Sequence, residues 1–247
     1  MGGLLPSAAV GKERGVNVEA IDRERLALAL DRDDAVEALR LAEELRPWFG
    51  IAKVGLELFS ASGPSILTGL VDQGWRVFAD LKLHDIPTTV YRAGRVLGSL
   101  GVALATMHAA GGEAMLRAGI EGLLEGAASV GAPTPLGLAV LSLSSQPPLD
   151  DDDELVGRVE AAVRSGCQGV VVPRAALATV AARWPNLVRV VPGIRGPRGE
   201  HHDQAQVLTP EEAVAMGADI LVVGRAITEA PQPAEAARTL LGVPPQP

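Results

Sequence analysis

The sequence has a single cysteine, Cys167, so no disulfide can form within the chain and no thiolate cluster can hold zinc. Aromatic residues are almost as scarce, at three Phe, three Trp and one Tyr in 247 residues. Any core must therefore be built from Val, Leu, Ile and Ala, a composition that suits a parallel sheet or a packed barrel. No run of Lys and Arg is interleaved with aromatics, and the net charge of −8 is spread along the chain, which argues against a nucleic-acid surface. No apolar run reaches membrane-spanning length, and "LLPSAAV" near the start is too short and too proline-broken for a signal-peptide core. These absences predict a soluble, cytoplasmic protein that binds neither nucleic acid nor membrane.

With 47% apolar residues, the chain can bury the core of one large domain. Its apolar residues come in bursts: "LALAL" (26–30), "IAKVGL" (51–56), "RVFADL" (76–81), "VALATM" (102–107), "PLGLAVL" (135–141), "GVVV" (169–172), "LVRVV" (187–191) and "DILVV" (219–223). Amphipathic stretches separate them, among them 34–46, 64–73, 89–100, 113–127 and 152–165. Gly74, Gly101, Gly131, Gly166 and Gly217 stand between a helix and the next strand, where glycine ends a helix in the left-handed conformation. Eight strands alternating with helices predict a single-domain α/β protein, a (β/α)8 barrel over residues 21–242. A flexible arm (1–20) and a flexible tail (243–247) would flank it. An open doubly wound sheet is the competing arrangement. Against it, "LDRDDAVEA" follows the first strand where a Gly-x-Gly-x-x-Gly turn would stand. The acidic run "LDDDDELVGR" (149–158) lacks the alternating ligands and central glycine of a calcium loop, and no metal is expected there.

In such barrels the chemistry lies at the C-terminal ends of the strands. Here those ends are polar: Asp31 after the first strand, Lys53 in the second, Asp80 and Lys82 in the third with Asp85 just beyond, His108 at the fourth and Ser142 after the fifth. Alternation along the third strand puts Asp80 and Lys82 on one face, opposite Val77, Ala79 and Leu81, and Lys53 shares its face with Ile51 and Gly55. Two lysines and at least two carboxylates are thereby aimed at one small volume. A structural salt bridge is the plainer reading of any one of these charges. A cluster drawn from three strands is better explained by function, because apolar residues in its place often cost no stability. Flanking carboxylates favour the ammonium form of Lys82, whereas a Schiff-base lysine needs a neutral amine. Lys82 therefore reads as a proton donor or carbanion stabiliser.

The second half of the chain points to the substrate's anionic end. After the seventh strand, "VVPGIRGPRGEHHDQAQVLTPEEA" (190–213) forms a long Gly- and Pro-rich loop, as an active-site lid would, before a helix capped by Thr209 with Pro210 in its first position. The eighth strand ends in "VVGRAI". Loops after strands seven and eight are the usual phosphate site of this architecture, with backbone N–H groups and arginine as ligands.

"FADLKLHDIPTTV", "KVGLELF", "TMHAAGG", "VVPGIR", "HDQ" and "ADILVVGRAIT" have the order and spacing found in bacterial orotidine 5′-phosphate decarboxylases, and the chain resembles that family over residues 26–230. Asp-x-Lys-x-x-Asp alone is shared with magnesium-dependent sugar-phosphate barrels; the continuation Ile-Pro-x-Thr, Pro-Gly-Ile-Arg and the Asp-Gln pair are more specific. The resemblance implies conversion of orotidine 5′-monophosphate to UMP and carbon dioxide, without metal or organic cofactor. It implies Lys82, Asp80, Asp85 and Lys53 as the catalytic set. Asp31 and Lys53 would hold ribose hydroxyls, Ser142 would contact the base, and Arg195, Gln204, Gly224 and Arg225 would grip the phosphate. Asp85, Ile86 and Thr89 would reach into the neighbouring subunit's site, which implies a homodimer with shared active sites. Thr88, Gln206 and "VLSLSS" depart from the usual family pattern. His108 fits the family's His-Ala-x-Gly-Gly segment in a structural or supporting role, His84 is read as structural, and His201 and His202 as solvated. Two alternatives stay open: a magnesium-dependent keto-sugar-phosphate decarboxylase or hexulose-phosphate synthase, and a non-catalytic nucleotide-binding barrel.

Overall fold

All eight apolar bursts are strands in the computed structural model of the chain, which describes residues 21–143, 152–195 and 208–242. They are β1 (Leu26–Ala29), β2 (Ile51–Val54), β3 (Arg76–Leu83), β4 (Leu104–His108), β5 (Leu136–Val140), β6 (Gly169–Val171), β7 (Val188–Ile194) and β8 (Ile220–Val223). Each pairs in parallel with the next, and β1 pairs with both β2 and β8, so the sheet closes and the open doubly wound alternative falls. β3 runs beyond its apolar burst through Lys82 and Leu83, and β7 through Pro192, Gly193 and Ile194, and both carry a register shift against the following strand. The expected arm, tail and most of the lid, with Gln204, Gln206, His201 and His202, lie outside the described residues.

Strand alternation divides the core in two. Ala27, Ala29, Ile51, Phe78, Leu104, Leu138, Val190, Ile220 and Val222 fill the barrel interior. Their neighbours in sequence, such as Leu28, Ala52, Val77, Ala105, Ala139, Val191 and Leu221, face the helices. Full burial of a Leu, Ile or Val side chain is worth about 1.5–3 kcal/mol, so an aliphatic core with few aromatics suffices when it has two layers.

The helices are α1 (Ala35–Leu45), α2 (Leu56–Ser62), α3 (Ser65–Asp72), α4 (Pro87–Ser99), α5 (Gly112–Ser129), α6 (Asp152–Arg164), α7 (Arg174–Arg183), α8 (Pro210–Ala215), α9 (Arg225–Thr228) and α10 (Pro233–Leu240). Asp34 caps α1, its Oδ1 accepting the N–H groups of Val36 (2.7 Å) and Glu37 (2.9 Å). Thr209 and Glu212 form a capping box at α8, with Pro210 in the first position as its sequence predicts. The five glycines expected behind helices all have positive φ, from 67° to 98°. No described helix is long and apolar enough to cross a membrane. Cys167 is buried, and burial pushes its thiol up to about 12.

One helix contact sets the geometry near the site. α4 and α5 meet through glycines on both faces: a Cβ on Gly98 would lie 2.1 Å from the Leu123 carbonyl oxygen, and one on Gly126 would lie 2.0 Å from that of Arg95. Only a hydrogen fits between the two backbones at these points. The N-terminus of α4 follows directly from the Asp85 and Ile86 segment, so this contact fixes where that segment stands.

Candidate active site

At the C-terminal end of the barrel lies a cavity of about 430 Å³, lined by the ends of β1, β2, β3, β5, β7 and β8 and the loops after them. Its β2–β3 wall is charged. Lys53 Nζ is 3.0 Å from Asp31 Oδ1 and 3.8 Å from Asp80 Oδ2, and Lys82 Nζ is 2.9 Å from the same Asp80 oxygen. Asp31, Lys53, Asp80 and Lys82 thus alternate in sign along a connected row. Pairing of this kind is what makes ions tolerable away from water, where each unpaired charge would cost several kcal/mol. The middle of the row is the most buried, with 8% of the Lys53 side chain and 15% of that of Asp80 exposed, against 47% for Asp31 and 32% for Lys82 at its ends, so Lys82 is the more accessible of the two lysines.

Two neighbours that sequence reasoning did not single out shape this row. Gly55 leaves the room in which Asp31 and Lys53 meet, since a Cβ there would stand 2.9 Å from Asp31 Oδ1 and 3.2 Å from Lys53 Nζ. Thr106, on β4 and fully buried, donates its hydroxyl to Asp80 Oδ1 (3.0 Å) and accepts the backbone N–H of Lys82 (2.9 Å). The available signal for Thr106 was a polar residue on the same face of β4 as the interior Leu104.

On the opposite side Arg195, buried at the end of β7, and Arg225, exposed at the start of α9, line the cavity together with Gly224. Ser142 lines it next to Val140, with Val171 and Val190 forming an apolar floor. An anionic group and a flat ring would meet different walls of the cavity, arginines on one side and aliphatic side chains below. Asp85, Ile86 and Thr89 do not line it. All three are exposed: Asp85 and Ile86 lie between β3 and α4, where Asp85 Oδ1 accepts the N–H of Ile86 at 2.7 Å and Ile86 is 66% exposed, and Thr89 stands in the first turn of α4. Gln204 lies outside the described residues.

His84 and His108 stack behind the charged wall, with ring centroids 5.4 Å apart and planes 15° from parallel. His108 Nδ1 accepts the N–H of Ala110 (3.2 Å) and so caps the turn after β4. Burial first, then the neighbouring His84, Arg158 and Lys82, hold its imidazole below the usual histidine range. His108 is therefore a neutral, structurally engaged ring at neutral pH.

A family profile described as orotidine 5′-phosphate decarboxylase / HUMPS family matches residues 24–240. The orotidine 5′-phosphate decarboxylase of Moorella thermoacetica is 41% identical over 232 residues, covering 88% of this chain and 91% of its own. That of Anaeromyxobacter dehalogenans is 42% identical over 219 residues, covering 88% and 96%. Among solved structures, the orotidine 5′-phosphate decarboxylase of Lactobacillus acidophilus matches with a TM-score of 0.75 at 31% identity, over 89% of this chain and 97% of that one. The match extends from just before the first strand to the end of the last helix and takes in every wall of the cavity, and the chain belongs to the orotidine 5′-phosphate decarboxylase / HUMPS family.

Proposed function

We propose that the protein decarboxylates orotidine 5′-monophosphate to UMP, the last step of pyrimidine nucleotide synthesis, and that Lys82 carries the chemistry. The observation behind the assignment of roles is the row Asp31, Lys53, Asp80, Lys82, whose more accessible lysine, Lys82, lines the cavity in an ion pair with Asp80. Breaking the bond between C6 and the carboxylate leaves an electron pair on C6 in an orbital that the pyrimidine ring cannot delocalise. Fixed positive charge at that carbon is therefore the main help a protein can give. Lys82 stabilises the carbanion and transfers a proton from Nζ to C6, carbon dioxide leaves, and the neutral amine is reprotonated from water.

Asp80 orients Lys82 through its 2.9 Å ion pair and places negative charge next to the departing carboxylate. Lys53 holds Asp80 from behind, and with Asp31 it meets the ribose hydroxyls. Arg195, Arg225, Gly224 and Gln204 take the phosphate, and Ser142 the base. Binding energy from the phosphate, far from C6, is used for the reaction at C6, so a substrate lacking it loses turnover as well as affinity.

A second copy of the chain completes the site in this reading. Asp85, Ile86 and Thr89 stand exposed beside their own cavity rather than in it, as residues destined for a neighbour's site would. The active unit is then a homodimer with two shared sites, a cytoplasmic enzyme whose ligand is a mononucleotide rather than nucleic acid.

The test is the ultraviolet absorbance of orotidine 5′-monophosphate mixed with purified protein in excess EDTA. Conversion to the UMP spectrum is expected. No change despite UMP binding would replace the enzyme by a nucleotide-binding barrel, and no change without binding would point to the magnesium-dependent sugar-phosphate reactions.

A further inference from the structure

We infer that Thr106 is a positioning residue for Asp80 and Lys82, and that it acts by holding Lys82 in a backbone conformation that a lysine does not adopt unaided. The inference rests on the decarboxylase reading of Lys82 for its consequence in turnover, and on geometry alone for its structural content.

Lys82 has φ of +50°, the only positive φ at a non-glycine residue among the described residues. For an L-residue this region brings Cβ too close to the backbone, so it persists only where surroundings enforce it. The enforcing feature is a bulge. β3 and β4 pair regularly at Phe78↔Leu104 and Ala79↔Ala105, and the next pair is Leu83↔Met107. Across that gap β3 advances four residues while β4 advances two, so Asp80, Leu81 and Lys82 all stand opposite Thr106. Bulges of this kind bend a strand and re-aim a side chain.

Thr106 is the group that closes the gap. Its Oγ1 accepts the Lys82 N–H at 2.9 Å and donates to Asp80 Oδ1 at 3.0 Å, while the other Asp80 oxygen takes the Lys82 ammonium at 2.9 Å. A hydroxyl both donates and accepts, which neither a methyl nor an ammonium can do. The residue is fully buried, so the same two contacts are not shared with bulk water. Backbone and side chain of Lys82 are thus tied through Asp80 and Thr106 into one closed ring of hydrogen bonds. The methyl on Cβ, present in threonine and absent from serine, restricts χ1 and holds the hydroxyl in the orientation that serves both partners.

The experiment compares the wild type, Thr106→Val and Thr106→Ser for kcat and KM with orotidine 5′-monophosphate, together with the dissociation constant of UMP. Loss of two buried hydrogen bonds and of the Lys82 orientation is expected to lower kcat of Thr106→Val about ten- to a hundredfold, while UMP affinity stays within about threefold. Thr106→Ser, which keeps the hydroxyl, is expected to recover to within about threefold of wild type. A purely structural role would weaken UMP binding and folding together and would not be rescued by the smaller residue. Wild-type turnover in Thr106→Val, or equal impairment in the serine and valine variants, would overturn the inference. If Thr106→Val does not fold, Thr106→Cys, similar in volume with a weak donor and acceptor, is measured against the same criteria. If the wild type itself does not turn over the substrate, the decarboxylase reading fails separately. The inference is then decided by the crystal structure of the valine variant, where an unchanged left-handed Lys82 with an unmoved Asp80 carboxylate would overturn it.

Discussion

Substituting alanine for glycine inside a helix normally stabilises a protein by up to about 1 kcal/mol, because alanine is the better helix former. Gly126→Ala is expected to do the reverse. The new Cβ would lie 2.0 Å from the Arg95 carbonyl oxygen and 2.8 Å from its carbon, against an ordinary contact that begins at 3.4 Å. The obstacle is backbone, so no rotamer change can remove it, and α4 and α5 must separate by roughly an ångström. Overpacking of this kind costs about 1–3 kcal/mol and sometimes more. Taking the upper end and subtracting the propensity gain leaves a net loss of about 2 kcal/mol. Gly157 is the internal control: it sits in α6 with nothing within 4 Å of an added Cβ, so Gly157→Ala should gain the full propensity term. The two variants should then differ by about 3 kcal/mol, or roughly 6–12 °C in midpoint for a domain of this size. Urea unfolding of both, at one protein concentration so that any association is held constant, measures the difference directly. Equal stability of the two variants would refute the claim that α4 and α5 are held at glycine distance.

Other expectations concern the site. Lys82→Ala should fold and bind UMP yet lose nearly all turnover, and mixing it with Asp85→Ala should restore activity, because random exchange in a two-fold dimer leaves about a quarter of the sites intact. No recovery despite demonstrated subunit exchange would count against Asp85 acting across the interface. Lys82→Gly should be more stable than Lys82→Ala by about 0.5–1 kcal/mol, since glycine accepts the left-handed backbone and the lost ion pair cancels in the comparison; a more stable alanine variant would show that φ there is not strained. His108 is held neutral by burial, so the unfolded chain takes up a proton that the folded chain resists. Stability is therefore complete above about pH 6.5 and falls as pH drops through that value towards the lower folded-state pKa. His108→Asn should flatten that fall in urea midpoints measured from pH 7.5 to 5.5, and an unchanged slope would remove His108 as its cause.

The barrel was legible because its signal is periodic. Each strand falls in a short, mainly apolar burst, and glycines mark the helix ends, so strand number and closure follow even where boundaries move by a few residues. β3 and β7 run longer than their bursts because a window tuned to apolar runs stops at a charged residue, Lys82, in one and at the Pro192-Gly193 pair in the other. α2 begins two residues after β2 ends, and "IAKVGLELF" reads as one apolar stretch. The charged wall was visible for the same reason as the strands, since alternation places Lys53, Asp80 and Lys82 inward. Thr106 was not, because an uncharged β-branched residue in a strand looks like an ordinary strand former. The bulge at Lys82 was hidden as well: it returns Lys82 to the face that simple alternation assigns, so the pattern conceals the detour. What a second copy contributes cannot be read from the periodicity of one chain.

The alternating row also has a consequence for how an anion finds the cavity. Two ammonium groups and two carboxylates cancel at a distance, so beyond a Debye length, about 8 Å at physiological salt, the row presents almost no field to an approaching molecule. The protein as a whole carries a net charge of −8 and repels anions. In the proposed reading the phosphate is taken up on the other side of the cavity, at Arg195 and Arg225 on the β7–β8 side. In that reading capture and reaction fall to different walls of the cavity, and the electrostatics at Lys82, set by the Asp80 carboxylate at 2.9 Å, respond less to ionic strength than the long-range repulsion does.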